Sequence, residues 1–228
     1  MDAQDAREGP LLLADPLLPA ESLLLPEPPE PGFLLGKPYL LAENVARRIC
    51  HDFASLLGTL NGLTELSAED PEAALLATET ARRLVARLQL VRGAWGGGGD
   101  DLDAAAITAL ADGLPGAERL RVDCTALVGV LEGVAARLCL CLLLTGAGAM
   151  PRGGTITVGS EDSAEGGHPG IWVQLDGPRA AWPASLTEPA DASEADPRGL
   201  PAALCQLLAA GSLWRISVED ARAVARPA

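Results

Sequence analysis

Two histidines, His51 and His168, are the side chains of this chain best suited to act as nucleophiles or proton carriers near neutral pH. His168 lies in Gly166-Gly167-His168-Pro169-Gly170, a loop sequence, and reads as an exposed turn residue. His51 sits in a helical pattern, Arg47-Arg48-Ile49-Cys50-His51-Asp52-Phe53-Ala54-Ser55. At about 100° per residue it falls roughly 160–200° from Ile49 and Phe53, so it points away from the apolar stripe. Asn44, Arg47, Ser55, Gly58 and Gly62 lie within about 40° of it on that outer face. Gly58 and Gly62 each cost a helix about 1 kcal/mol relative to Ala, and they leave a shallow surface that another protein can approach closely. Arg47 and Arg48 can neutralise a phosphoryl group. Asp52 can orient the imidazole or take its proton. An imidazole in water titrates near about 6.5, is mostly neutral at pH 7 and is a competent nucleophile. This set suits phosphoryl transfer from a partner's aspartyl phosphate. It also reads as a solvated surface histidine beside arginines that merely balance an acidic chain.

The elements that must position His51 are two helices. Over 38–66, Val45, Ile49, Phe53, Leu56, Leu60 and Leu63 fall in one stripe roughly 80° wide. Asp70-Pro71-Glu72 then supplies a helix start: a capping Asp, proline at the first helical position and an acid in the first turn. Ala77, Ala81, Leu84, Leu88, Val91 and Trp95 form the second stripe, ended by the glycine run 96–99. The short link predicts an antiparallel hairpin. A lone hairpin leaves apolar surface uncovered, so a second copy is expected, giving a four-helix bundle in a homodimer.

The rest of the chain is mixed. Residues 102–112 read as a helix, 118–125 as a strand and 126–145 as a long apolar helix. Met150-Pro151-Arg152-Gly153-Gly154 reads as a turn. Strands are expected over 155–159 and 171–176, a helix over 201–210 and a last strand over 213–218. The polar loop 160–170 joins two of the strands, and 183–198 reads as a flexible acidic loop. Alternation of this kind predicts an α+β sandwich with helices on one face of a sheet.

Composition narrows the functions available. Among 228 residues, Lys and Arg number 17 against 31 Asp and Glu, a formal charge of −14. Nucleic acid and anionic lipid both require a basic face, so neither is an expected partner. Aromatic residues are only 3%, so the core must be built from Leu, Ala and Val, which favours helices. The five cysteines (50, 124, 139, 141, 205) are odd in number and lack a Cys-x-x-Cys pair. They read as free thiols in a reducing compartment, with neither a disulfide framework nor a metal site. Residues 1–39 alternate leucine clusters with prolines and are expected to be a disordered or extended arm. Its acidic start does not read as a signal peptide, and the longest apolar run, 138–150, is shorter than the ~20 residues of a membrane span. The chain is therefore expected in the cytoplasm.

The run Arg48-Ile49-Cys50-His51-Asp52-Phe53-Ala54-Ser55, followed by Asn61-Gly62 and Glu65-Leu66, resembles the His-Asp-Phe box of ChpT-type histidine phosphotransferases. These are bacterial phosphorelay proteins similar to the dimerisation domains of histidine kinases. The hairpin, the glycine-rich break and the 150–154 turn follow in the expected order. The resemblance covers about 40–228 and implies a dimerisation and phosphotransfer hairpin over 40–96. A degenerate kinase-ATPase-like α/β domain would follow over 97–228. It implies that His51 is the phosphoacceptor, supported by Asp52, Ser55, Arg47 and Arg48. It further implies partners: receiver domains of a hybrid histidine kinase and of response regulators, which bring their own Mg²⁺. Many members carry a proline after the box serine; this chain has Leu56 there, which implies a straighter helix.

A working kinase of this type needs an Asn-bearing helix, an Asp-x-Gly-x-Gly strand end and a glycine-rich lid. The helix over 126–145 contains no Asn, and the nearest adenine-type match, Asp176-Gly177-Pro178, lacks its second half. No Gly-x-x-x-x-Gly-Lys-Ser/Thr loop occurs. No ATP use and no cofactor of the chain's own are expected. The reading is a relay of phosphoryl groups between receiver aspartates through His51. The alternative is a dimeric scaffold that binds receivers or kinases without carrying phosphate.

Overall fold

The computed structural model describes residues 37–96, 100–161, 169–188, 196 and 198–228. The 1–39 arm thus lies almost wholly outside the described residues, as do His168, most of the loop 160–170 and half of 183–198. Residues Gly36–Ala228 form one compact unit.

Two long helices open it, α1 (Lys37–Leu66) and α2 (Pro71–Trp95). The turn between them is closed by the sequence itself. Asp70 N–H donates to Leu66 O at 3.0 Å, which ends α1. The Asp70 carboxylate then accepts from Glu72 N–H at 2.9 Å, with Pro71 in the first turn, which starts α2. The two helices pack along each other, as the stripes predict. Val45, Ile49, Phe53, Leu56, Leu60 and Leu63 are all half-buried, and no described residue of α1 is fully buried. On α2 the inward face is rotated from the expected one. Leu88 is 56% exposed, whereas Arg87 is buried. Leu90, Val91 and Ala94 continue the buried side.

The second part comprises α3 (Ala104–Ala111), β1 (Leu120–Ala126), α4 (Gly133–Ala149), β2 (Gly154–Ser160), β3 (Ile171–Asp176), α5 (Leu200–Gly211), β4 (Trp214–Glu219) and β5 (Arg222–Pro227). The sheet runs β1-β2-β3-β5-β4. β1 and β2 are parallel, and the other neighbours are antiparallel. The parallel pair needs a crossover, and α4 supplies it.

Several boundaries differ from the sequence reading for local reasons. Leu102 belongs to no helix; it bridges Leu131, and Asp103 caps α3 by accepting from Ala106 N–H at 2.7 Å. Residues 117–119 form a 3-10 turn ahead of β1 rather than part of the strand. The apolar helix begins at Gly133, not at residue 126, because Gly129 and Gly133 hold positive φ values (77° and 47°) that bend the chain first. The strand over 213–218 is not the last: β5 follows a tight turn at Asp220 (φ 53°) and lies inside the sheet. Within the supposed loop 183–198, Ala184–Leu186 is a 3-10 turn whose Leu186 is fully buried.

The core sits between α4, α5 and the sheet. Leu138, Leu140, Leu142 and Leu143 of α4 and Ile156, Val158, Ile171, Val173 and Leu175 of the sheet are buried. Full burial of one such side chain is worth about 1.5–3 kcal/mol relative to exposure. Trp182 closes one end, its indole N–H donating to Ala221 O at 2.8 Å and its ring lying beside Gly146 of α4. The other sheet face is polar: Arg222 lies 4.3 Å above the Trp172 ring and donates to Gln174 Oε1, and Arg226 pairs with Glu161. Helices α4 and α5 both pack on the sheet, and α2 packs on α3 and α4, so the hairpin is anchored through one of its helices.

Candidate functional site

His51 projects from the middle of α1, its side chain 81% exposed. The helix does this by spacing alone: Ile49 and Phe53 take the half-buried side and leave the residue between them facing outward. Its Nδ1 stands 3.3 Å from Asp52 Oδ1. A carboxylate can only accept, so this contact requires the proton on Nδ1 and leaves the Nε2 lone pair facing solvent.

Asp52 is the contrasting residue. It is adjacent in sequence, but its side chain is only 14% exposed. Its second oxygen, Oδ2, accepts from Arg48 Nε at 2.9 Å and lies 3.5 Å from a terminal guanidinium nitrogen of Arg87. Arg48 reaches Asp52 from one turn back on α1, while Arg87 crosses from α2. The carboxylate therefore holds two cations on one oxygen and the imidazole on the other. Arg87 is 10% exposed, and burial, opposed by the Asp52 charge, lowers its pKa; the nearby Arg48 charge lowers it further. An arginine starts so far above neutrality that it keeps its proton.

Of the residues singled out from sequence, the structure brings His51, Asp52 and Arg48 together. Arg47 turns back to Glu43, pairing at 2.6 Å, with its side chain 58% exposed. Ser55 is exposed one turn beyond His51, and its carbonyl accepts from the Thr59 hydroxyl at 3.0 Å. Gly58 has open space around it, so no Cβ is excluded on steric grounds and the surface there stays shallow. Arg87 was missed by sequence reasoning. Its signal was present: it stands three residues after Leu84 and four before Val91, a charge on an apolar face, which demands a buried partner across the hairpin.

The arrangement offers an outward imidazole, backed by a carboxylate 3.3 Å from its Nδ1 that can accept a proton held there. Among the described residues, no group of three or more His, Cys, Asp or Glu side chains is placed to hold a metal ion. No helix of those residues is long and apolar enough to cross a membrane.

Helix α4 carries Thr145 as its one hydroxyl and no Asn, and that hydroxyl donates to Cys141 O at 2.8 Å. Gly177, after β3, stands against Gly153, Gly154 and Met150, where any Cβ would clash. Its role here is the close approach of two turns.

Residues 104–223, more than half of the chain, match the family model described as the histidine phosphotransferase C-terminal domain. The protein phosphotransferase ChpT of Brucella abortus (strain 2308) is 35% identical over 129 residues. That match covers 54% of this chain and 62% of the relative, so the chain spans less than two thirds of that protein's length. A solved bacterial phosphotransferase is similar at a TM-score of 0.65 and 28% identity, over 82% of this chain and 95% of that one. The α3-to-β5 region that carries the family match is the same region that packs on α2, and the chain belongs to the ChpT-type histidine phosphotransferases.

Proposed function

We propose that this protein relays a phosphoryl group between the aspartates of two receiver domains, with His51 as the carrier. In the first half, Nε2 of His51 attacks the phosphorus of an aspartyl phosphate. The N–P bond forms as the P–O bond to the aspartate breaks, and the aspartate leaves as a carboxylate. The ring keeps its Nδ1 proton and gains positive charge, which Asp52 stabilises at 3.3 Å. In the second half, the same steps run in reverse onto another receiver's aspartate. Mg²⁺ and the acidic pocket belong to the receivers, so this chain contributes a positioned nucleophile and a docking face. The one observation that carries this reading is His51, 81% exposed yet tied to a carboxylate that two arginines hold.

Two further features belong to the proposal. The hairpin, 40–96, pairs with that of a second copy to form a four-helix bundle. Tyr39, Leu57, Leu66, Leu75, Leu76, Val85 and Leu88 are each half or more exposed, an apolar surface that a lone hairpin leaves in water. The 97–228 part is a degenerate kinase-ATPase-like domain that has become part of the docking surface. It does not use ATP, since α4 lacks the Asn that such chemistry requires. The protein works in the cytoplasm.

The test is phosphotransfer from a phosphorylated receiver domain to the wild type and to His51→Gln. It is read on a phosphate-affinity gel at neutral or alkaline pH, since phosphohistidine is acid-labile. Label on the wild type alone is the expected result. Absence of label with the dimer intact would favour a scaffold, and label on both proteins would place the carrier elsewhere.

A further inference from the structure

A cavity of about 450 Å³ lies where α2 meets α3 and α4, away from His51. Its floor is apolar. Leu140 of α4 sits against Gly93 of α2 so closely that a Cβ at Gly93 would meet its Cδ1 at 2.7 Å. Around this floor stand Gln89 and Arg92 from α2, Arg137 from α4, and Asp100 and Asp101 from the segment before α3. The volume is within the range of small-molecule sites, and an apolar lining with a few convergent polar groups is their usual composition.

Arg137 is the residue that asks for an occupant. Its Nε is buried and, among the described residues, has no hydrogen-bond partner. Buried N–H groups are satisfied in folded proteins by protein, water or ligand, and leaving one unmade is costly. Among the described residues, neither Arg92 nor Arg137 has a carboxylate within ion-pair distance, although the chain carries 31 acids and two of them line the same cavity. In a chain of charge −14, two unpaired guanidinium groups at one apolar cavity are a selective feature for an anion. Asp100 and Asp101 stand ready to accept hydrogen bonds from a donor elsewhere on the same ligand.

We propose that this cavity binds a small organic oxyanion, a phosphate ester or carboxylate on an apolar body. Arg137 and Arg92 take the oxygens, and the α3–α4 floor takes the body. The site is independent of the relay reading, since none of its residues touches the His51 cluster in the contacts above. Because its walls come from both the hairpin and the α/β part, occupancy would clamp α2 onto α3 and α4.

The probes are phenyl phosphate, adenosine monophosphate, octanoate and inorganic phosphate, each titrated to millimolar concentration into the full-length protein. The readout is the arginine Nε–H NMR resonances, with affinity by calorimetry. At least one organic anion is expected to move the Arg137 Nε–H signal and to bind more tightly than inorganic phosphate. A response to octanoate alone would assign a carboxylate, and a response to either ester would assign a phosphate; both support the proposal. Arg137→Met and, at the more exposed position, Arg92→Gln are each expected to weaken that binding about tenfold or more, the loss typical of one charge-assisted contact. Silence of the Arg137 signal to all four probes would overturn the site. So would binding of inorganic phosphate alone, or binding unchanged in a folded Arg92→Gln protein.

Discussion

The hairpin and the α/β part are stabilised in different ways. In the α/β part, α4 is buried almost all round: Leu138, Cys139, Leu140, Cys141, Leu142 and Leu143 follow one another at 1% exposure or less. In the hairpin, α1 has no fully buried described residue, and α2 reaches full burial mainly where it meets α3 and α4. His51 lies on the less buried of the two. Under the proposed relay, the nucleophile has to meet another protein's aspartate and must be exposed, and its helix is free to be amphipathic because it carries little of the core. Conversely, the central helix of the α/β part carries leucine and cysteine along its middle and supplies much of the core.

The largest effect that would break this comparison is at His51. His51→Gln should abolish phosphotransfer while changing stability by no more than about 0.5 kcal/mol, as for other exposed sites. Paired transfer and thermal-melting measurements check both halves. Next is Leu142→Ala in α4, expected to cost about 2–5 kcal/mol because the fully buried site leaves a cavity. Denaturant unfolding reads it, and Leu57→Ala on the hairpin should cost far less in the same assay. Asp52→Asn should destabilise by about 1–3 kcal/mol, since the nearly buried Arg48 and Arg87 lose their shared carboxylate. It should also slow transfer about tenfold or more, by weakening the charge that stabilises the phosphorylated ring. Arg47→Ala should move stability by less than about 0.5 kcal/mol, because its ion pair with Glu43 is exposed. The mildest contrast is in the thiols. Cys50 alone among the five is exposed, and burial pushes the Cys139 thiol up. A thiol reagent should therefore modify Cys50 in the native protein and reach the other four only on unfolding.

The hairpin was the more legible region in sequence. The α1 stripe, the Asp70-Pro71 start and the outward His51 all follow from local spacing, and the structure keeps each. Leu88 and Arg87 show where local spacing fails. Side-chain type alone assigns leucine inward and arginine outward, but Asp52 on the other helix reverses the choice by giving the arginine a buried partner. That contact spans 35 positions and cannot be read from periodicity. β5 was lost for a related reason. Arg222-Ala223-Val224-Ala225-Arg226-Pro227 is short, alanine-rich and ends in proline, so its own residues argue weakly for a strand. It forms because β3 and β4 offer hydrogen bonds on both sides. The late start of α4 follows from two glycines whose positive φ values have no signature in composition.

The central claim is that Asp52 fixes the His51 ring so that Nε2 alone faces the incoming phosphorus. The direct measurement is a ¹⁵N–³¹P correlation on the full-length protein, ¹⁵N-labelled at histidine and phosphorylated by a receiver domain. One phosphorus coupled to Nε2 of His51, absent from His51→Gln, is the predicted result. A phosphorus coupled to Nδ1, or carried by any other residue, would contradict the claim.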